Sequence, residues 1–280
     1  MSPFDLIVLD FDGTFTDVEK EADPFFAAYR GQVEQQFGDV KDDWADAEAT
    51  IAKDPAHYGW SYGGHVVAPG NADPYLRATV IMNMVFERRG LFPDMDERTE
   101  VLQRLYFENY PKADTVFRPE AKAVVETLLR GDTPVFVVTN SATHDVQQKL
   151  NTLAPAGREK LTVHGDARKY IVNEPEVSSP AFEAVPKTME VDGLRRPILL
   201  RRGDYFTMLT SLWKQTGATP ERTFVAGDIF ELDLAMPAVL GASVHLVLKE
   251  RTAEFEKTAV EQVGGQYTET LTPILERVGL

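Results

Sequence analysis

The sequence predicts an α/β protein whose core is a doubly wound parallel sheet, with a mainly helical segment inserted into it. Three observations carry this expectation. Short apolar runs end abruptly on polar residues: Leu6–Leu9 before Asp10, 134–138 before Thr139, and 223–226 before Gly227-Asp228. Uninterrupted runs of this length are typical of strands buried on both faces of a parallel sheet. Helical stripes separate most of these runs, as crossover units require. Residues 20–112, by contrast, lack the strand–helix rhythm altogether.

Taken in order, the first strand is Leu6-Ile7-Val8-Leu9. The insertion follows, with amphipathic stretches at Phe25, Phe26, Tyr29, Val33 and Phe37, at Leu76, Val80, Met84 and Val85, and at Leu102, Leu105, Tyr106 and Tyr110. Between them, residues 58–65 are irregular and rich in glycine and aromatic rings. A helix with Pro119 in its first turn and an apolar stripe at Ala123, Val124, Thr127 and Leu128 leads to Gly131 and the second strand. Ala142, Val146, Leu150 and Leu153 mark the helix after that strand, and Leu161-Thr162-Val163 a short strand beyond it. Four prolines between residues 170 and 200 argue for a loop or short hairpin. Phe206, Leu209, Leu212 and Trp213 form a helix ending near Gly217, ahead of the third strand; residues 243–248 make a fourth. These stripes are expected to pack on the sheet.

Composition narrows the function. The 280 residues carry 29 basic and 44 acidic side chains, a net charge of −15, which disfavours nucleic acid or an anionic membrane as partner. An anionic substrate would have to be held locally, by a metal and a few placed donors. With no cysteine there is no disulfide framework, thiol nucleophile or thiolate metal site. The N-terminus lacks a basic region and no uncharged run approaches a membrane span, so a cytoplasmic protein is expected. Nothing in the sequence fixes an oligomeric state.

The chemistry sits at the strand ends, where open α/β sheets bind ligands. Asp10 and Asp12 are one residue apart and precede Gly13. Aspartate and glycine are common turn residues after strands. Two acids so close also repel unless a metal, a shared proton or both lie between them. Asp228 and Asp233 follow the third strand, and acids from two neighbouring strand ends can share one hard cation such as Mg²⁺. Thr139 offers a hydroxyl where the next helix begins, and that helix's free amides favour an anion.

The run Asp10-Phe11-Asp12-Gly13-Thr14-Phe15-Thr16-Asp17 resembles the first motif of the haloacid dehalogenase-like (HAD) hydrolase superfamily. Val137-Val138-Thr139-Asn140 resembles its second motif, and Gly227-Asp228 through Asp233 its fourth. Order and spacing agree over about two thirds of the chain. The resemblance implies a Rossmann-like core, residues 1–19 and 113–280, with residues 20–112 as a helical cap over the site. It implies Asp10 as a nucleophile that forms an aspartyl-phosphate, and Asp12 as the proton carrier. It further implies Mg²⁺ held by Asp10, the Asp12 main-chain carbonyl and Asp228, with Asp233 as a direct or outer ligand. Thr139, and backbone amides near Asp12 and Asn140, would bind phosphate.

For the family's third motif, a basic residue, Lys169 is the first choice and Arg201 and Arg202 compete. An acid at position 12 favours phosphate chemistry over dehalogenation, since dehalogenating relatives lack it. The expectation is therefore a Mg²⁺-dependent phosphatase acting on a small phosphorylated metabolite. A phosphotransferase or mutase of the same superfamily, and a binding protein without efficient turnover, are the alternatives. His65, His144, Arg30 and Arg77 are left outside the core site.

Overall fold

A computed structural model describes residues 2–280. Strand β1 (Leu6–Leu9) leads into α1 (Val18–Glu21), α2 (Asp23–Phe37), α3 (Lys41–Lys53), a hairpin of β2 (Gly59–Tyr62) and β3 (His65–Pro69), then α4 (Pro74–Arg89) and α5 (Met95–Asn109). The chain continues through α6 (Ala121–Arg130), β4 (Val135–Val138), α7 (Thr143–Leu153), β5 (Thr162–His164) and α8 (Pro180–Glu183). A second hairpin, β6 (Thr188–Met189) and β7 (Ile198–Leu199), precedes α9 (Gly203–Thr216) and β8 (Thr223–Gly227). A π-helical turn (Phe230–Leu234), α10 (Ala235–Val239), β9 (Ser243–Val247), α11 (Glu254–Gln262), β10 (Gln266–Thr268) and α12 (Thr272–Arg277) complete it.

Six strands form one parallel sheet in the order β10-β9-β8-β1-β4-β5. Alternation along β1 sends Leu6 and Val8 into a cluster with Phe206, Leu209 and Leu212 of α9. Ile7 and Leu9 enter the opposite layer, with Val124 and Leu128 of α6 and Val146 and Leu150 of α7. Helices thus cover both faces, which is why the strands read as continuous apolar runs. The strand order reverses between β1 and β8, the position at which sheets of this kind bind ligands. Leu9 lies opposite both Val137 and Ala226. That register brings Asp10, Thr139 and Asp228 to one level beyond the sheet.

The inserted segment packs around its own core, including Phe25 and Tyr29 of α2, Trp44 and Ile51 of α3, Val85 of α4 and Leu105 of α5. Its two connections pair through an antiparallel bridge between Thr16 and Phe117, so its neck lies a few residues outside residues 20–112. Residues 58–65, irregular in the sequence, belong to the antiparallel hairpin β2–β3. Gly63 and Gly64 turn it with φ of +57° and +79°, a conformation that favours two-residue hairpin loops of glycine. The helix expected from Pro119 starts two residues later, at Ala121. No helix among the described residues is long and apolar enough to cross a membrane.

Candidate active site

Asp10, Asp228 and Asp233 converge beyond the carboxyl ends of β1 and β8, with carboxylate oxygens within 4.8 Å of one another, and all three side chains are buried. Two glycines permit the approach. Gly13 has φ +81°, and a Cβ there would lie 2.1 Å from Oδ2 of Asp228. A Cβ on Gly227 would lie 2.5 Å from the Asp233 Cβ. Asp233 reaches back from the π-helical turn, where its Oδ2 accepts the Ile229 amide at 3.0 Å.

Lys169 bridges the group, with Nζ 2.8 Å from Asp10 Oδ1 and 2.8 Å from Asp233 Oδ1. Burial opposes its charge, but Asp10 and Asp233 outweigh burial and raise its pKa. Burial, with Asp233 and Asp228 nearby, lifts the Asp10 carboxyl well above its ordinary value despite Lys169. Burial likewise pushes Asp228 up to about 6, against the pull of Lys249. Two carboxylates 4 Å apart repel by about 4 kcal/mol at the effective dielectric of such sites. Three acids against Lys169 and Lys249 leave the cluster short of positive charge. Its donors are all carboxylate oxygens, a set that suits a hard cation such as Mg²⁺.

Asp12 stands apart from this cluster. Its carboxylate accepts from Ser141 Oγ at 2.5 Å and from Lys149 Nζ at 2.6 Å. Its side chain is thus committed to Ser141 and Lys149 rather than to the acid cluster. Lys149 also meets Glu21 at 3.1 Å. Burial disfavours the Lys149 ammonium, yet Asp12 and Glu21 more than compensate and raise its pKa. The two acids of the first motif so face different surroundings: Asp10 a buried acid cluster, Asp12 a hydroxyl and a lysine.

Thr139 is buried, and its Oγ1 accepts the Ser141 amide at 3.2 Å, which leaves its hydroxyl proton free to donate. The side-chain oxygen of Asn140 accepts the Lys169 amide at 2.8 Å, which leaves its Nδ2 group as a donor. Among the three basic candidates, Lys169 alone touches Asp10. Arg201 pairs with Glu174 and Glu183 and lies over the Phe182 ring. Arg202 is buried and donates to the main-chain carbonyls of Leu199, Lys169 and Val67, so it supports Lys169 from behind. His144 is exposed and paired with Asp145, and Arg77 binds Glu19 through both terminal nitrogens.

Sequence reasoning missed Ser141, Lys149, Glu21 and Lys249. Ser141 directly follows the second motif and Lys249 lies two residues beyond the end of β9, so the strand-end rule could have found both. Lys149 meets Asp12, and Glu21 shares that lysine, only through tertiary packing.

No family model and no curated protein matches this chain. Solved structures do. A predicted phosphoglycolate phosphatase from Haemophilus somnus matches with TM-score 0.56 at 16% identity, over 99% of this chain and 98% of that one. A haloacid dehalogenase-like family hydrolase from Streptococcus pneumoniae matches with TM-score 0.50 at 14% identity, over 99% of both chains. A conserved haloacid dehalogenase-like protein of unknown function from Agrobacterium tumefaciens gives TM-score 0.50 at 15% identity, over 95% of this chain and 93% of that one. The chain therefore has the fold of the haloacid dehalogenase-like hydrolases.

Proposed function

We propose that this protein is a HAD-like phosphatase, hydrolysing a small phosphate monoester through an aspartyl-phosphate on Asp10 with the help of Mg²⁺. The observation that carries the reading is the separation of two acids on one turn: Asp10 sits within a buried acid cluster bridged by Lys169, while Asp12 faces Ser141 and Lys149. Nucleophile and proton carrier are separate roles for separately placed groups, and an acid at position 12 is what a phosphate ester's leaving oxygen uses.

In this reading the Asp10 carboxylate attacks phosphorus, a new oxygen–phosphorus bond forms, and the bond to the leaving oxygen breaks as Asp12, having taken up a proton when substrate binds, gives that oxygen the proton. Asp12 then takes a proton from the water that attacks the aspartyl-phosphate, which frees Asp10 and inorganic phosphate. Lys169 neutralises charge on Asp10 and the transferring group. Thr139 donates its hydroxyl to a phosphate oxygen, and Asn140 fixes the backbone of Lys169. Bound by Asp10, Asp228 and the Asp12 carbonyl, with Asp233 alongside, Mg²⁺ would supply charge that offsets repulsion between carboxylate and phosphate. The inserted lobe acts as the cap that shields the intermediate and selects the leaving group.

The test is phosphate release over sugar phosphates, nucleotides and phosphorylated acids, with and without Mg²⁺. Turnover of at least one ester that needs Mg²⁺ and is lost in Asp10→Asn is expected. Activity that survives Asp10→Asn contradicts the mechanism.

A further inference from the structure

The Lys249 ammonium is an element that the proposed reaction does not use. It lies just past β9 and donates both to Oδ2 of Asp228, in the acid cluster, and to the main-chain carbonyl of Ala72, in the inserted lobe. Only 6% of its side chain is exposed, and 4% of that of Asp228. Its neighbours are fixed to the same two bodies. The Lys249 amide is held by Thr252, Asn71 Nδ2 donates to the Arg251 carbonyl at 2.7 Å, and Arg251 meets Glu48 at 3.6 Å. Arg118 joins the carbonyls of Gly13 and Leu248, so this segment is also tied to the first motif.

An ammonium resting on a carboxylate repels a divalent cation that coordinates the same carboxylate, and burial leaves little water to screen the two. With the lobe seated, the ammonium is held between the Ala72 carbonyl and the Asp228 carboxylate. Were the lobe to lift, the contact with Ala72 would be lost and the ammonium would be free to turn toward water. From this we propose that Lys249 is a resident cation of the Asp228 site: it opposes Mg²⁺ while the lobe is seated, so Mg²⁺ loading and lobe seating compete. The inference rests on reading Asp10, Asp228 and Asp233 as a divalent-cation site. Because coupling is reciprocal, Mg²⁺ must loosen the lobe as much as the lobe weakens Mg²⁺. A phosphate dianion, bringing negative charge, would then restore the seated state.

The experiment is calorimetric titration of the full-length protein with Mg²⁺ alone, combined with hydrogen exchange over residues 70–77. Lys249→Met removes the charge and keeps the apolar stem, whereas Lys249→Gln removes the charge and keeps a donor for Ala72. Both variants are expected to bind Mg²⁺ at least about tenfold more tightly, the scale of a removed buried charge. In the unaltered protein Mg²⁺ should speed exchange over residues 70–77, and in Lys249→Met exchange there should be fast already and insensitive to Mg²⁺. Equal or weaker Mg²⁺ binding by both variants, or slower exchange on adding Mg²⁺ to the unaltered protein, overturns the coupling alone. Absence of Mg²⁺ binding in all three proteins overturns the metal-site reading and the coupling with it.

Discussion

Asp10, Thr139 and Asp228 stand where hydrogen-bonded register puts them, one or two residues past paired positions on β1, β4 and β8. The inserted lobe meets the same site by other means: the carboxylate of Glu21 and the main-chain carbonyls of Val67 and Ala72, which accept from Lys149, Arg202 and Lys249. Strand register fixes a side chain within the ladder itself, whereas lobe contacts depend on how a separately cored body settles on the sheet. The core should therefore be intolerant of single-atom changes near Asp10, and the lobe should be governed by its own packing.

The largest effect tests the core. Asp10→Asn keeps the shape of the side chain and removes the nucleophile, so turnover should fall on the order of 10³-fold or more. The melting temperature should be unchanged or higher, because the change relieves a crowded buried acid. Steady-state rates and thermal denaturation read both. A stability loss that tracks the activity loss would show that Asp10 is a structural residue.

A comparably severe change tests the lobe's independence. Phe25 is fully buried among Tyr29, Tyr75 and Tyr106. Phe25→Ala should cost about 3–5 kcal/mol, the usual range for a buried phenylalanine, seen as a lowered urea midpoint. A loss below about 1 kcal/mol would mean that the lobe does not rely on this core.

Acid sensitivity should come from the sheet. Burial, with Arg277 nearby, depresses His245 on β9 to about 4. Its folded value is below the 6.5 of the free side chain, so its contribution is full above pH 6.5 and is lost as pH falls toward 4. About 3 kcal/mol should disappear across that window, since each pKa unit is worth 1.36 kcal/mol. His245→Asn should flatten this part of the stability profile, and an unchanged slope would place the acid sensitivity elsewhere. The smallest effect is expected at the seam between the two regions. Trp60 of the lobe packs edge-on to Tyr170, the residue after Lys169, at 5.6 Å between ring centres. Trp60→Ala should alter KM by a few-fold with little change in kcat, on the order of 1 kcal/mol for a lost aromatic contact. A large fall in kcat would show that this seam aligns Lys169.

This difference also explains what could be read from the sequence. Asp10, Asp12, Asp228 and Asp233 were legible because an apolar run followed by an acid states both the strand and its end. Lys169 was one of three basic choices, and only folding shows that Arg201 turns to Glu174 and Glu183 while Arg202 turns to main-chain carbonyls. Asn140 reads from the sequence as a phosphate contact; its side chain also holds the Lys169 backbone, a link across 29 residues that no local pattern displays. The hairpin β2–β3 was hidden by its partial exposure, which blurs the alternation of apolar and polar residues. Its Gly63-Gly64 turn was the usable signal. The edge strand β10 is only three residues long and half exposed, too short for a period to register.

The central claim is that the phosphoryl group passes through Asp10. It is tested most directly by rapid acid quench during turnover of an identified substrate, borohydride reduction of the trapped acyl phosphate, and mass spectrometry of the peptide containing residues 10 and 12. The account predicts reduction at Asp10 alone, absent without substrate. Turnover with no reduced residue, or with reduction at Asp12 or Asp228, would contradict it.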